Sequence, residues 1–117
     1  MMINMLSAKM VSTNTVREMA MALEGVVELP HFELTSFRIK KKIFMTMDES
    51  RERVCFMFSM NDQDVFTKMD PVSFYPVPNK WGLKGATYCD LSKAKKVMFE
   101  DALSVAYDSK VVEDRKG

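Results

Sequence analysis

Apolar residues recur at helical spacing over residues 12–24, where Val16, Met19, Ala20 and Leu23 share one face. Ser12 or Thr13 supplies an N-cap, and Gly25 stands where a C-cap belongs. The period then shortens to two. After a lead-in over 26–33, residues 34–40 read as a strand with Phe37 and Ile39 on one face and Arg38 and Lys40 on the other. Lys40-Lys41-Lys42 reads as a hairpin turn, with 43–47 returning. Lysine does not readily take positive φ, so a longer or bulged connection is expected there. A polar loop over 48–53 precedes 54–59, which is apolar almost throughout and therefore a central strand. Asn61 or Asp62 caps a short helix carrying Val65, Phe66 and Met69, which ends before Pro71. Residues 86–91 form a further strand. Ser92 caps a last helix on which Val97, Leu103, Ala106 and Tyr107 recur, flanked by Met98 and Phe99. Residues 1–11 read as a loose lead-in and 111–117 as a loose charged tail. The order α-β-β-β-α-β-α on 117 residues predicts one α+β domain, a two-layer sandwich with helices packed on one face of an antiparallel sheet.

One stretch falls outside this periodicity. Two of the four glycines, two of the four prolines and the only tryptophan lie within residues 74–85, so the backbone there is expected to hold one shape. Composition is that of an ordinary globular chain, 47% apolar and 28% charged. A net charge of +1 supplies no global field toward nucleic acid, so such attraction must come from local clusters. No apolar run approaches the roughly 18 residues of a membrane span. The start lacks a signal peptide's basic flank and apolar stretch, and the cytoplasm is the expected compartment. Cys55 and Cys89 read as reduced thiols, and most of the 12 methionines as core filler.

Candidate chemistry is sparse. His31 is the only histidine, and no nucleophile stands at a motif spacing from it. Glu28, Glu33, Asp62, Asp64 and Asp70 suit solvated faces and caps better than a cation site. Gly82 and Gly85 form a G-x-x-G without a phosphate-loop Lys-Ser pair. No catalytic residue, metal site or cofactor is expected. Cations cluster more tellingly: Arg38, Lys40, Lys41 and Lys42 at the hairpin, Lys80 and Lys84 flanking Trp81, and Lys93, Lys95 and Lys96 opening the last helix against its dipole. If hairpin and loop project together, they grip phosphates at two places while Trp81 or Tyr75 stacks on a base or sugar. Taken alone, Trp81 reads as a core anchor.

The runs Pro30-His31-Phe32-Glu33, Thr35-Ser36-Phe37-Arg38-Ile39-Lys40-Lys41-Lys42-Ile43-Phe44 and Tyr75-Pro76-Val77-Pro78-Asn79-Lys80-Trp81-Gly82 resemble the MmcQ/YjbR family. The likeness runs from the first helix to the last, and its most specific parts are the S-F-R-(I/V)-x-x-K-I-F hairpin and the P-V-P-x-K-W-G loop. It implies a frataxin-like (CyaY-type) fold and a "double wing" protein binding double-stranded DNA. Arg38, Lys40, Lys41 and Lys42 would form one wing, and Lys80, Trp81 and Lys84 the second element. Relatives often continue the loop as G-W-T, whereas this chain has Gly85-Ala86-Thr87 and lacks that second aromatic. The first helix carries only Glu18 and Glu24 as acids, so a frataxin-like fold does not bring iron binding with it. The leading expectation is a non-enzymatic DNA-binding module. The alternative is a module binding a protein or small molecule in an apolar groove beside Trp81, and an enzyme built around His31 ranks last.

Overall fold

Alternation builds the sheet. In the computed structural model, which describes residues 11–116, Val54 and Phe56 of β4 (Arg53–Met57) are buried while Arg53, Cys55 and Met57 are half-buried on the opposite face. The same two-residue period aligns β2 (Leu34–Ile39), β3 (Lys42–Asp48) and β6 (Ala86–Asp90). With β1 (Val26–His31) and β5 (Phe74–Pro76) they form a six-stranded sheet in the order β1-β2-β3-β4-β6-β5, every neighbour antiparallel. The helices α1 (Thr13–Met21), α2 (Met60–Met69) and α3 (Lys96–Lys116) pack on one side of it. The α+β two-layer architecture is as expected from sequence.

Several boundaries differ, each for a physical reason. β1 occupies what reads as a lead-in: Pro30 looks incompatible with a strand, but β1 is an edge strand and needs ladder hydrogen bonds on one side only. β5 has three residues, too few for a period. The Lys40-Lys41 connection is not long. It is a two-residue turn joining Ile39 to its register partner Lys42, with both lysines at positive φ (49° and 72°) as a type I′ turn requires. The bulge lies inside the strands instead. Between Phe37 and Arg38 the register shifts, so Phe44 has no partner and both Phe44 and Met45 are buried.

The caps also move. Ser12 caps α1 by accepting from the Thr15 N–H (3.0 Å), but α1 ends at Met21 and Gly25 (φ +81°) serves the turn into β1. Ser59, rather than Asn61 or Asp62, caps α2 by accepting from the Asp62 N–H (3.1 Å). Gln63 and Phe66 are buried there, while Val65 and Met69 face solvent. Ser92 binds the Asp90 carboxylate through its hydroxyl (2.6 Å), and α3 starts four residues later, so Lys93 and Lys95 precede it. Val97 is 70% exposed; Phe99, Ala102, Leu103 and Ala106 make the buried face. The helix continues past Val111 to Lys116, and Val11 is fixed by its N–H donating to the Leu91 carbonyl (3.1 Å), while the lead-in over 1–10 lies outside the described residues. Among the methionines, Met45 and Met47 are buried, but Met21, Met60 and Met69 are exposed.

The core is aromatic. Phe56 sits with its ring centroid 5.2 Å from Phe58, 6.5 Å from Phe74 and 5.7 Å from Phe99, tying β4 to β5 and α3. Phe66 brings α2 into the same cluster against Phe58 and Phe74. Cys55 and Cys89 are free thiols, and burial pushes Cys55 up to about 11 and Cys89 higher still, so neither is a thiolate at neutral pH.

Candidate binding surface

The loop after β5 is held by its backbone. The Val77 N–H donates to the Ala86 carbonyl (3.0 Å), the Ala86 N–H to the Trp81 carbonyl (3.0 Å), and the Trp81 N–H to the Asn79 side-chain oxygen (2.8 Å). Residues Gly82–Lys84 form a single 3-10 turn closed by Gly85 at φ +116°. Both glycines are needed for contact: a Cβ on Gly82 would lie 1.8 Å from the Val77 carbonyl oxygen, and one on Gly85 would lie 2.0 Å from that of Phe58. The inward contacts are therefore made by main chain, and the indole faces out. Trp81 is 56% exposed, which corrects its reading as a core anchor. The Lys80 and Lys84 ammonium groups stand 5.9 and 5.5 Å from its ring centroid, within cation–π range.

A residue with no motif signal secures this loop from below. The Gln63 side-chain amide donates to the Gly82 carbonyl (2.9 Å) and the Ala86 carbonyl (3.1 Å), bolting α2 to both ends of the 3-10 turn. Its position between Asp62 and Asp64 on a polar helix start hides it; only the inward-facing register with Phe66 points to it. Gln63→Ala is expected to cost about 1–3 kcal/mol in urea unfolding, because two buried carbonyls lose a donor. The Trp81 emission should change in the folded baseline as well. A variant as stable as the parent would show the amide to be dispensable.

Strand direction places the hairpin and the loop together. β3 leaves the Lys40-Lys41 turn, β4 returns antiparallel to it and ends at Met57, and Met57 is paired with Ala86, where β6 begins. β5 ends at Pro76, opposite Thr87. Lys40, Lys41, Lys80, Trp81 and Lys84 thus lie at one end of the sheet, and all five side chains are exposed. Asp48, at the end of β3, and Glu49 and Glu52, in the β3–β4 turn, lie at the other end of the sheet, and so do Lys93 and Lys95 after β6. The remaining two predicted cations diverge. Lys42 turns to the helix side and pairs with Glu113 of α3 (3.6 Å), whereas Arg38 lies on the opposite face with its Nε donating to the Ser36 hydroxyl (2.9 Å). Asp62, in the first turn of α2, and Glu113 offset part of the positive charge at this end.

The sheet face away from the helices carries a groove of about 690 Å³, lined by Leu34, Ile43, Thr46, Cys55, Met57 and Trp81, among others. His31 and Phe32 stand at its far end, their rings edge-to-face at 5.0 Å. Phe32 occupies the β1–β2 turn at φ 61° and is 94% exposed. The groove's thiol, Cys55, is pushed up to about 11 by burial. Among the described residues no three His, Cys, Asp or Glu side chains gather as a metal site, and no helix is long and apolar enough to cross a membrane.

No family model and no curated protein matches the chain. A solved structure does: protein DR2400 of Deinococcus radiodurans, a DUF419 domain, aligns over 84% of this chain and 77% of its own length, with a TM-score of 0.68 and 17% sequence identity. DUF419 lies in the MmcQ/YjbR-like fold group. At that identity the likeness carries the architecture, and the chain has the fold seen in DR2400.

Proposed function

We propose that the chain is a member of the MmcQ/YjbR family and a non-enzymatic module that binds double-stranded DNA through the lysine-bearing end of its sheet. One observation carries this reading: two separate basic features, Lys40-Lys41 on the hairpin and Lys80-Trp81-Lys84 on the loop, share an end from which the β3–β4 acids are absent. Phosphate contacts from two rigid projections fix a duplex in register, and the exposed indole adds a flat surface for a sugar or base. Lys42 and Arg38 have smaller parts here, since one faces α3 and the other the opposite sheet face.

The test is the salt dependence of duplex affinity. Each phosphate neutralised contributes a slope of about −0.9 in log K against log salt. Replacing Lys40 and Lys41 together with alanine should flatten the slope by about two. The same exchange at Lys93 and Lys95, at the other end, should leave it unchanged. Duplex binding at low salt no tighter than that of an unrelated protein of equal charge would remove the proposal. The groove beside Trp81 favours a second reading, a site for a small ligand.

A further inference from the structure

The groove is built by register, and its chemistry narrows what it takes. Thr46 is paired with Cys55, and Cys55 with Tyr88, so two small side chains lie side by side at the centre of the sheet face away from the helices, while Ser36, next in the row, is fully buried and accepts from Arg38. Taller side chains stand around that floor: Leu34 toward the β1–β2 turn, Ile43 and Met57 toward the lysine end, and Trp81 beyond them. The volume, about 690 Å³, falls within the range of small-molecule sites. Along β4, from Arg53 to Met57, the trough runs about 13 Å at the usual strand rise.

The lining is mostly hydrocarbon; its charged members are Arg53, Asp48 and Lys110 of α3, with Lys80 and Lys84 beside Trp81 at the lysine end. The Arg53 guanidinium lies over the Tyr88 ring, 3.7 Å from its centroid. Its cross-strand neighbours are Asp48 and Asp90; both carboxylates are hydrogen-bonded to serines, although Arg53 is also among the charges that hold Asp48 low. Asp48 accepts from the Ser50 hydroxyl (2.7 Å) and pairs with Arg51 (3.4 Å); Ser50 foremost holds it below the usual carboxylate range. Asp90 accepts from the Ser92 hydroxyl (2.6 Å) and approaches Lys93 (3.9 Å). Among the described residues Arg53 makes no ion pair, so its planar fork of donors remains available at the groove's end.

We propose that this groove binds a small amphipathic anion, with a hydrocarbon body laid over Thr46, Cys55 and Met57 toward Trp81 and a single carboxylate paired with Arg53. A peptide or nucleic-acid strand fits less well. The backbone groups under the floor are spent in the sheet ladder, so a polar chain lying along the trough would bury groups without partners. A cationic amphiphile would meet Arg53 as a like charge. This inference rests on the groove alone and is independent of the DNA reading.

Trp81 is the only tryptophan and lines the groove, so its emission reports occupancy directly. The full chain is titrated below micelle formation with decanoate, decanol and decyltrimethylammonium, with sedimentation run in parallel. Decanoate should give a saturable blue shift, and decanol a response about tenfold weaker or more, the difference a charged hydrogen bond makes. Decyltrimethylammonium should give none. Arg53→Gln should bring decanoate down to the level of decanol while leaving the DNA salt slope intact, and the Lys40/Lys41 alanine pair should do the reverse. No saturable response to any of the three overturns the proposal. Equal affinity for decanoate and decanol overturns the anionic part, a comparison in the parent chain that does not depend on how the variant folds. A dimer whose Trp81 emission ignores decanoate would give the groove to a second copy of the chain instead.

Discussion

Replacing Gly85 with alanine should destabilise the chain by about 3–5 kcal/mol, a large part of the roughly 5–15 kcal/mol that holds a domain of this size together. Two costs combine. At φ +116° an alanine backbone is strained by about 1–3 kcal/mol. Its Cβ would also stand 2.0 Å from the Phe58 carbonyl oxygen, and main chain at the end of a central strand cannot swing aside as a flexible side chain does. Overpacking of that kind adds about 1–3 kcal/mol. Gly25 is the internal comparison. It too has positive φ, +81°, but its Cβ would meet only the Cδ1 of Ile39 at 2.8 Å, the mobile tip of a side chain. Urea unfolding should therefore rank Gly85→Ala well below Gly25→Ala in stability, with the Trp81 emission of the Gly85 variant altered before the global transition. A loss under about 1 kcal/mol at Gly85 would mean that the loop shifts cheaply and does not hold the indole in place.

That the loop is rigid was legible from its prolines and glycines; which way it turns its tryptophan was not. A lone Trp in a chain with ten per cent aromatics belongs inside on hydrophobicity alone. What overrides this is close main-chain packing at Gly82 and Gly85, and the distance from a glycine to a carbonyl across a fold leaves no mark in composition. Gln63 escaped for a related reason. Its neighbours are polar, and its role depends on two carbonyls that are 19 and 23 residues away.

The strands divide along similar lines. β2, β3, β4 and β6 announce themselves because one face is buried under helices and the other is not, as at Phe37 and Ile39 against Arg38. β1 does not, since Val27 and Leu29 point to the groove side and stay exposed while Glu28 faces the other way. Its apolar residues mark the wrong face for a core. The hairpin cations were visible as a run of four within five positions, yet strand alternation sends Arg38 and Lys42 to opposite faces. The groove floor could not be read from any one strand. Thr46 and Cys55 are unremarkable singly, and only cross-strand register brings the two small side chains side by side.

The same register makes Phe56→Ala the most costly core truncation, with an expected loss of about 3–5 kcal/mol. Phe56 is fully buried on β4, in the interior of the sheet, and its ring meets Phe58, Phe74 and Phe99. Removing it opens a cavity whose walls come from the sheet's interior, from the edge strand β5 and from α3; the strands are fixed to one another by the ladder, so collapse is limited and most of the cavity cost remains. Phe32→Ala provides the contrast. That ring is 94% exposed and held at φ 61°, so truncation should change stability by no more than about 0.5 kcal/mol. Because β4 also carries Arg53, Cys55 and Met57 on its other face, residual folded Phe56→Ala should bind decanoate more weakly than the parent, while Phe32→Ala stays stable. A Phe56→Ala midpoint within about 2 kcal/mol of the parent would show that the aromatic cluster repacks around the gap, and that the sheet is not held to α3 through this ring.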